Sequence, residues 1–225
     1  MMEENQDQTK EIQQEKECPA EENISENEPE KKPTRLQKIK SALIELIVYV
    51  AIIVVCVMVV PRYVIQRTIV DGTSMESTLQ DEDNLLVDKL SYRFSDPKRF
   101  DIIVFYPYGR ENEDYYIKRV IGLPGETVQI MDDGSIYING EKLEENYGME
   151  VIKPETIGRA AEPIELGDDE DFVMGDNRNH SSDSRDSRLG TVDTRYVIGK
   201  AVVLAFPGPD ETTGEREFSR IGWIG

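Results

Sequence analysis

The sequence predicts a mostly β protein, an antiparallel sheet or barrel-like domain with a small β insertion, preceded by one N-terminal transmembrane helix. Three observations predict it. The run "ALIELIVYVAIIVVCVMVV", Ala42 to Val60, carries a single charge, Glu45. Nearly every apolar cluster beyond it is short, rich in Val, Ile, Tyr and Phe, and bounded by Gly, Pro, Asp or Asn, as strands are. The stretch "MDDGSIYINGEKL" adds an Asp-Gly and an Asn-Gly step, which suit two-residue hairpin turns because both residue types tolerate positive φ.

Taken in order, residues 1–41 read as a disordered acidic tail with a basic flank. Residues 1–30 hold eleven Asp or Glu against two Lys and few large apolar side chains, too little to offset the entropy of ordering. Residues 42–60 read as the span, since nineteen residues at about 1.5 Å each cover a hydrocarbon core of roughly 30 Å. A buried core helix would show a polar face, and none follows Glu45. The long leader and the absence of a small-x-small site in "VVPRYV" favour a retained anchor over a cleaved leader. Lys31, Lys32, Arg35, Lys38 and Lys40 precede the span and only Arg62 and Arg67 closely follow it. The expected location is therefore a cell membrane, single-pass, with the N-terminus cytoplasmic and residues 61–225 outside.

That outer part has nineteen Lys or Arg against thirty-three Asp or Glu, a net of −14, which argues against nucleic acid as a partner. Both cysteines, Cys18 and Cys56, lie elsewhere, so the outer domain has neither disulfide nor thiol nucleophile. The clearest strands are "NLLVDKL", "DIIVFYP", "YYIKRVIGL", "ETVQIM", "SIYING" and "GKAVVLAF". About residues 126–171 form a hairpin and small insertion, of which Glu144 to Asp171 has weak periodicity and reads as a small insertion or long loop. Its acidic run "GDDED" lacks the regular spacing of a calcium loop and reads as solvated surface. One His and no exported Cys cannot build an ordinary zinc site, and no cofactor is expected.

The candidate chemistry centres on Ser74 in "VDGTSMESTL". A serine hydroxyl needs a base within hydrogen-bond reach, and three kinds are on offer: a carboxylate, His180 or a lysine in an apolar setting. His180, in "GDNRNHSSDSR", sits beside Ser181, Ser182 and Asp183, but a lone His in a polar loop is ordinarily a loop residue. Lys118, in "YYIKRVIGLPGE", shares one strand face with Val120, with Ile117 and Arg119 opposite. If that face turns inward, desolvation favours the neutral amine. The local pattern alone equally describes a lysine that snorkels to water.

In combination, the Gly-x-Ser-Met step behind an anchor, "KRVIGLPGE", and "GDNRNHSSDSR" resemble the type I signal peptidases, over almost all of Pro61 to Pro207 and including "NLLVDKLSYRFSDPKRFDIIVFYP" and "GETVQIMDDGSIYINGEKL". The resemblance implies a Ser-Lys endopeptidase that removes signal peptides from preproteins after small-x-small sites, typically Ala-x-Ala. It makes Ser74 the nucleophile, Lys118 the general base, Ser181 the hydroxyl that orients the amine, and Asp183 with Arg185 a supporting ion pair. Gly175, Asp176, Asn177 and Arg178 match the loop that positions them. Gly72 stands where some members carry an oxyanion-binding Ser, so backbone donors such as Ser74 N–H are expected instead. His180 stands where Asn is commoner. The substrate would pair with the strand around Ile69, Val70 and Asp71, with Val70, Met75, Leu79, Tyr116 and Ile117 lining its pockets. Implied partners are preproteins, the lipid bilayer and the export translocon. Tyr63, Ile65, Phe218 and Trp223 would lie at the interface.

Overall fold

The computed structural model describes residues 34–110, 114–210 and 213–224. The acidic tail expected over residues 1–30 lies outside them. The chain divides into two units, residues 1–46 and 47–225. The apolar run is helical from Arg35 to Tyr63 and long and apolar enough to cross a membrane. The basic flank Arg35, Lys38 and Lys40 thus forms the first turns of the helix. Helix α1, Arg35–Val54, opens into a π-helical turn, Val55–Val59, before a short α2, Val60–Tyr63. Pro61 has no N–H to donate and its ring crowds the carbonyl four residues back; a wider turn just ahead of it relieves that clash.

The remainder is antiparallel β, as the strand-like clusters predict. The main sheet runs in the order β1-β2-β11-β3-β4-β9-β10, with β12 on β11. Its strands are β1 Ile65–Ile69, β2 Asn84–Asp88, β3 Ile102–Phe105, β4 Tyr116–Gly122, β9 Glu170–Met174, β10 Val192–Asp193, β11 Val197–Phe206 and β12 Gly222–Trp223. Register shifts along β11 against β2 and β3, and between Val120 and Gly122 of β4 against β9, mark bulges. Bulges sharpen local twist, and here the sheet curls into a half-barrel. A second sheet, in the order β7-β6-β5-β8, comprises β5 Thr127–Ile130, β6 Ile136–Ile138, β7 Glu141–Lys142 and β8 Ile164–Glu165.

Of the two expected hairpin turns, Asn139-Gly140 is the two-residue turn anticipated, closing Ile138 against Glu141 with φ of 52° and 81°. The Asp133-Gly134 turn is longer. Met131 pairs with Ser135 through its N–H, and three residues span the gap with Gly134 at φ 80°. Asp132 lengthens the loop, so the glycine occupies the left-handed position of a three-residue connection.

Of the two readings of Glu144 to Asp171, a small insertion or a long loop, the structure shows the insertion. It forms 3₁₀ turns at Pro154–Thr156 and Gly158–Ala161, then β8. Ile152, Ile157, Ala160, Ile164 and Leu166 pack with Ile121, Phe172 and Met174 of the main sheet and Val128, Ile130 and Ile136 of the second. Each large aliphatic or aromatic side chain so buried contributes about 1.5–3 kcal/mol. The acidic run is not wholly solvated surface: Glu170 and Asp171 begin β9, and Asp171 is 0% exposed. No metal-holding group of acidic, His or Cys side chains occurs among the described residues.

Candidate active site

Strand β1 is the edge of the main sheet, and its open side faces a cleft of about 640 Å³. The cleft is lined by Thr68 to Asp71, Ser74 and Met75, and by Asp114 to Lys118 with Ser182. Val70 turns its N–H to Asp83 O and its carbonyl to Glu82 N, both inward. By strand alternation the backbone groups of Ile69 and Asp71 face the cleft.

The chain leaves β1 through Gly72, at φ 91°, and turns over Thr73 to Thr78. Nothing in the protein lies within 4 Å of where a Cβ on Gly72 would sit. Positive φ, rather than close approach of the protein, is what calls for glycine there. The Gly72 N–H donates to Asp81 Oδ1 at 2.7 Å and is engaged. The Ser74 N–H makes no hydrogen bond among the described residues.

Lys118 stands in the middle of β4, between β3 and β9. Six of the seven β4 residues are buried, so both faces of the strand are interior and Lys118, 4% exposed, cannot snorkel. Its Nζ lies 2.7 Å from Ser74 Oγ and donates to Ile117 O at 3.1 Å. Anchoring one N–H on that carbonyl leaves the lone pair of a neutral amine for the serine proton. Burial pulls the Lys118 pKa down to about 8, while the carboxylates of Asp183 and Asp176 pull the other way. His180 is exposed, and among the described residues only Lys118 hydrogen-bonds Ser74 Oγ.

Behind the dyad, the loop after β9 holds the serine turn from below. Asn177 donates from its backbone to Ser74 O and from Nδ2 to Thr73 O, each at 3.1 Å. A Cβ on Gly175 would overlap both Ser181 Oγ and Ser74 O, so only glycine lets the loop close on the turn. Asp183 accepts from Gly175 N and forms a bidentate pair with Arg185, both bonds 2.8 Å. Arg185 also donates to Arg178 O at 2.6 Å, and Arg178 grips Glu145.

Two residues read from sequence, Ser181 and Leu79, sit differently from expectation. The hydrogen bond from Ser181 to the Lys118 amine is not made; Ser181 Oγ is buried without a partner. Leu79 is fully buried in the core with Val70, Met75 and Leu85 and does not line the cleft. Ile69, Val70, Asp71, Met75, Tyr116 and Ile117 do line it.

Sequence reasoning gave Arg119 no role. It is 1% exposed and forks onto Asp176 at 2.9 and 2.7 Å, with its Nη1 on Phe100 O and its Cζ 3.8 Å from the Tyr147 ring centroid. Thr78, at the end of the serine turn, donates to the same carboxylate at 2.6 Å. The signal was a second cation beside Lys118 in a strand otherwise apolar; an unshielded pair there requires a buried anion.

Comparison with known proteins gives the family. The family model for signal peptidase, peptidase S26, matches residues 43–206. The chain belongs to that family. It is 41% identical over 140 residues to a probable signal peptidase I-2 of Synechocystis and 44% identical over 140 residues to a signal peptidase I of Leptolyngbya laminosa; each match covers 60% of this chain, and they cover 61% and 65% of the relatives. The chain thus spans under two thirds of the length of these two. A signal peptidase I of Bacillus licheniformis is 41% identical over 139 residues, covering 60% of this chain and 73% of that protein. Among solved structures, a signal peptidase I from Enterococcus faecalis is 38% identical, with a TM-score of 0.38, covering 47% of this chain and 97% of that one.

Proposed function

We propose that the protein is a membrane-anchored endopeptidase that removes N-terminal signal peptides from exported preproteins after small-x-small sites, through a Ser74–Lys118 acyl-enzyme. The observation that carries this reading is the buried Lys118 amine 2.7 Å from Ser74 Oγ, in a cleft bordered by a free strand edge. The substrate lies extended against Ile69 to Asp71, adding a strand. Neutral Lys118 takes the Ser74 proton as Oγ attacks the carbonyl of the last signal-peptide residue. The unengaged Ser74 N–H receives the oxyanion. Lysinium then gives its proton to the leaving amine, and a water that loses its proton to Lys118 cleaves the ester. Ser74 departs with the proton from the lysine.

Asp183, Arg185, Asp176, Asn177 and Arg178 act by holding Gly175 and the serine turn in place, and Ser181 offers a free hydroxyl beside them. The helix anchors the catalytic domain on the outer face, with the N-terminus cytoplasmic, as the excess of Lys and Arg before the span supports. That placement puts the enzyme beside preproteins leaving the translocon and raises the effective concentration of the scissile bond. The test is a preprotein reconstituted with the full chain in lipid nanodiscs, with Ala or Leu at the two small positions. Cleavage directly after the second Ala, absent with Leu, is expected. Cleavage indifferent to Leu would overturn the reading.

A further inference from the structure

A second cleft, of about 540 Å³, opens where the helix ends. Arg62 and Tyr63 come from the helix terminus, Lys89 and Arg93 from the turn after β2, and Arg110 and Arg195 from the loops flanking β4 and β11. None of the residues lining it is acidic, in an outer domain whose net charge is −14.

Arg195 is neutralised by Asp193. No carboxylate pairs with Arg62, Lys89, Arg93 or Arg110 among the described residues. Arg62 and Arg93 instead stack at 5.8 and 5.4 Å on the Tyr63 ring. Lys89 donates to the neutral Gln66 Oε1, and Arg110 to Arg195 O, neither of them a carboxylate. Burial, then repulsion from Arg62 and Arg93, draws the Lys89 pKa below its ordinary value, which marks a cluster short of an anion.

Depth supplies the rest. Arg62 follows the apolar run by two residues, about 3 Å along the helix axis, where phosphates of a spanned bilayer begin. Leu90 and Phe94, 40% and 83% exposed, flank Arg93 on the same turn. Apolar side chains beside unpaired guanidinium groups suit the boundary between acyl chains and headgroups.

We propose that this cleft binds the phosphate of an anionic phospholipid headgroup, clamped by Arg62, Lys89, Arg93 and Arg110. Guanidinium forks match phosphate oxygens in pairs, and Lys89 adds a point charge. The inference rests on the anchor part of the proposed function and is independent of the Ser74–Lys118 chemistry. A bound lipid would fix the catalytic domain against the membrane at a second point beyond its helix.

The test uses the full chain in a neutral detergent, with bound lipid counted by native mass spectrometry. Wild type should retain phosphatidylglycerol at least about tenfold better than phosphatidylcholine, and Lys89→Gln/Arg93→Gln should lose at least about fivefold of that preference, against a control at the exposed Lys142→Gln. Arg93→Lys should keep part of it. Thermal melting of each variant near wild type excludes misfolding as the cause. Equal retention of the two lipids, or a preference untouched by the double substitution, would overturn the proposal. Inorganic phosphate binding without phosphatidylglycerol binding would overturn the lipid assignment in favour of a soluble phosphate. Flotation with phosphatidylcholine vesicles tests the anchor separately: failure to float removes the anchor reading, whereas flotation without a lipid preference removes only the cleft.

Discussion

On the proposed mechanism, lowering the pH should switch cleavage off by protonating Lys118, and the structure sets where. With burial holding the amine at a pKa of about 8, roughly one molecule in ten carries the neutral base at pH 7 and roughly one in a hundred at pH 6. The kcat/KM for a peptide substrate should therefore rise about tenfold per unit up to pH 8 and flatten above it, because this parameter reports the free enzyme. The assay is initial-rate cleavage of a quenched fluorescent peptide between pH 5.5 and 10 in detergent. His180→Ala should keep the same limb. The same lysine acts on stability with a fixed sign. Its folded pKa lies below the unfolded value of 10.5, so the unfolded chain binds more protons between them and stability rises from about pH 8 to 10.5, by about 3 kcal/mol. A profile flat from pH 6 to 9, or an acid limb that vanishes in His180→Ala, would refute the reasoning.

Other outcomes follow from the supporting residues. Arg119→Met strands the Asp176 carboxylate in the interior and should cost about 3–5 kcal/mol in chemical denaturation, with Arg119→Lys recovering only part because it lacks the fork. Gly175→Ala should displace the serine turn and lower kcat/KM at least about 100-fold while the chain stays folded by circular dichroism. Asp171 is buried with both carboxylate oxygens unpartnered, and burial, then Asp96 and Asp101, push its pKa up to about 7. Its folded value is raised, so stability is lost as pH climbs from about 4 to 7. Asp171→Asn should remove that slope and stabilise the protein at pH 8 by up to about 4 kcal/mol, read by urea denaturation.

The strands were legible because β-branched runs punctuated by Gly and Asp admit few other readings, and Asn139-Gly140 fixed its own turn. The packing of the segment from Glu144 to Asp171, read as a small insertion or long loop, was not. Its apolar residues reach the core singly from 3₁₀ turns, without the period of a strand or helix, and its acidic end masks the start of β9. At the site, local pattern could not decide between a buried and a snorkelling Lys118, since that depends on β4 lying between β3 and β9. The same long-range fact hid Arg119, whose partner Asp176 is 57 residues away. Leu79 was placed at the pockets by the resemblance, and the resemblance does not say which way a side chain near Ser74 points.

The most direct measurement is cleavage of a synthetic preprotein bearing an Ala-x-Ala site by the full chain in detergent, with product masses determined for wild type, Ser74→Ala, Lys118→Ala and His180→Ala. The account predicts one cut, directly after the second Ala, made by wild type and His180→Ala and by neither of the others. Activity that survives Lys118→Ala, or is lost with His180→Ala in a folded protein, would contradict the assignment of the lysine as the base.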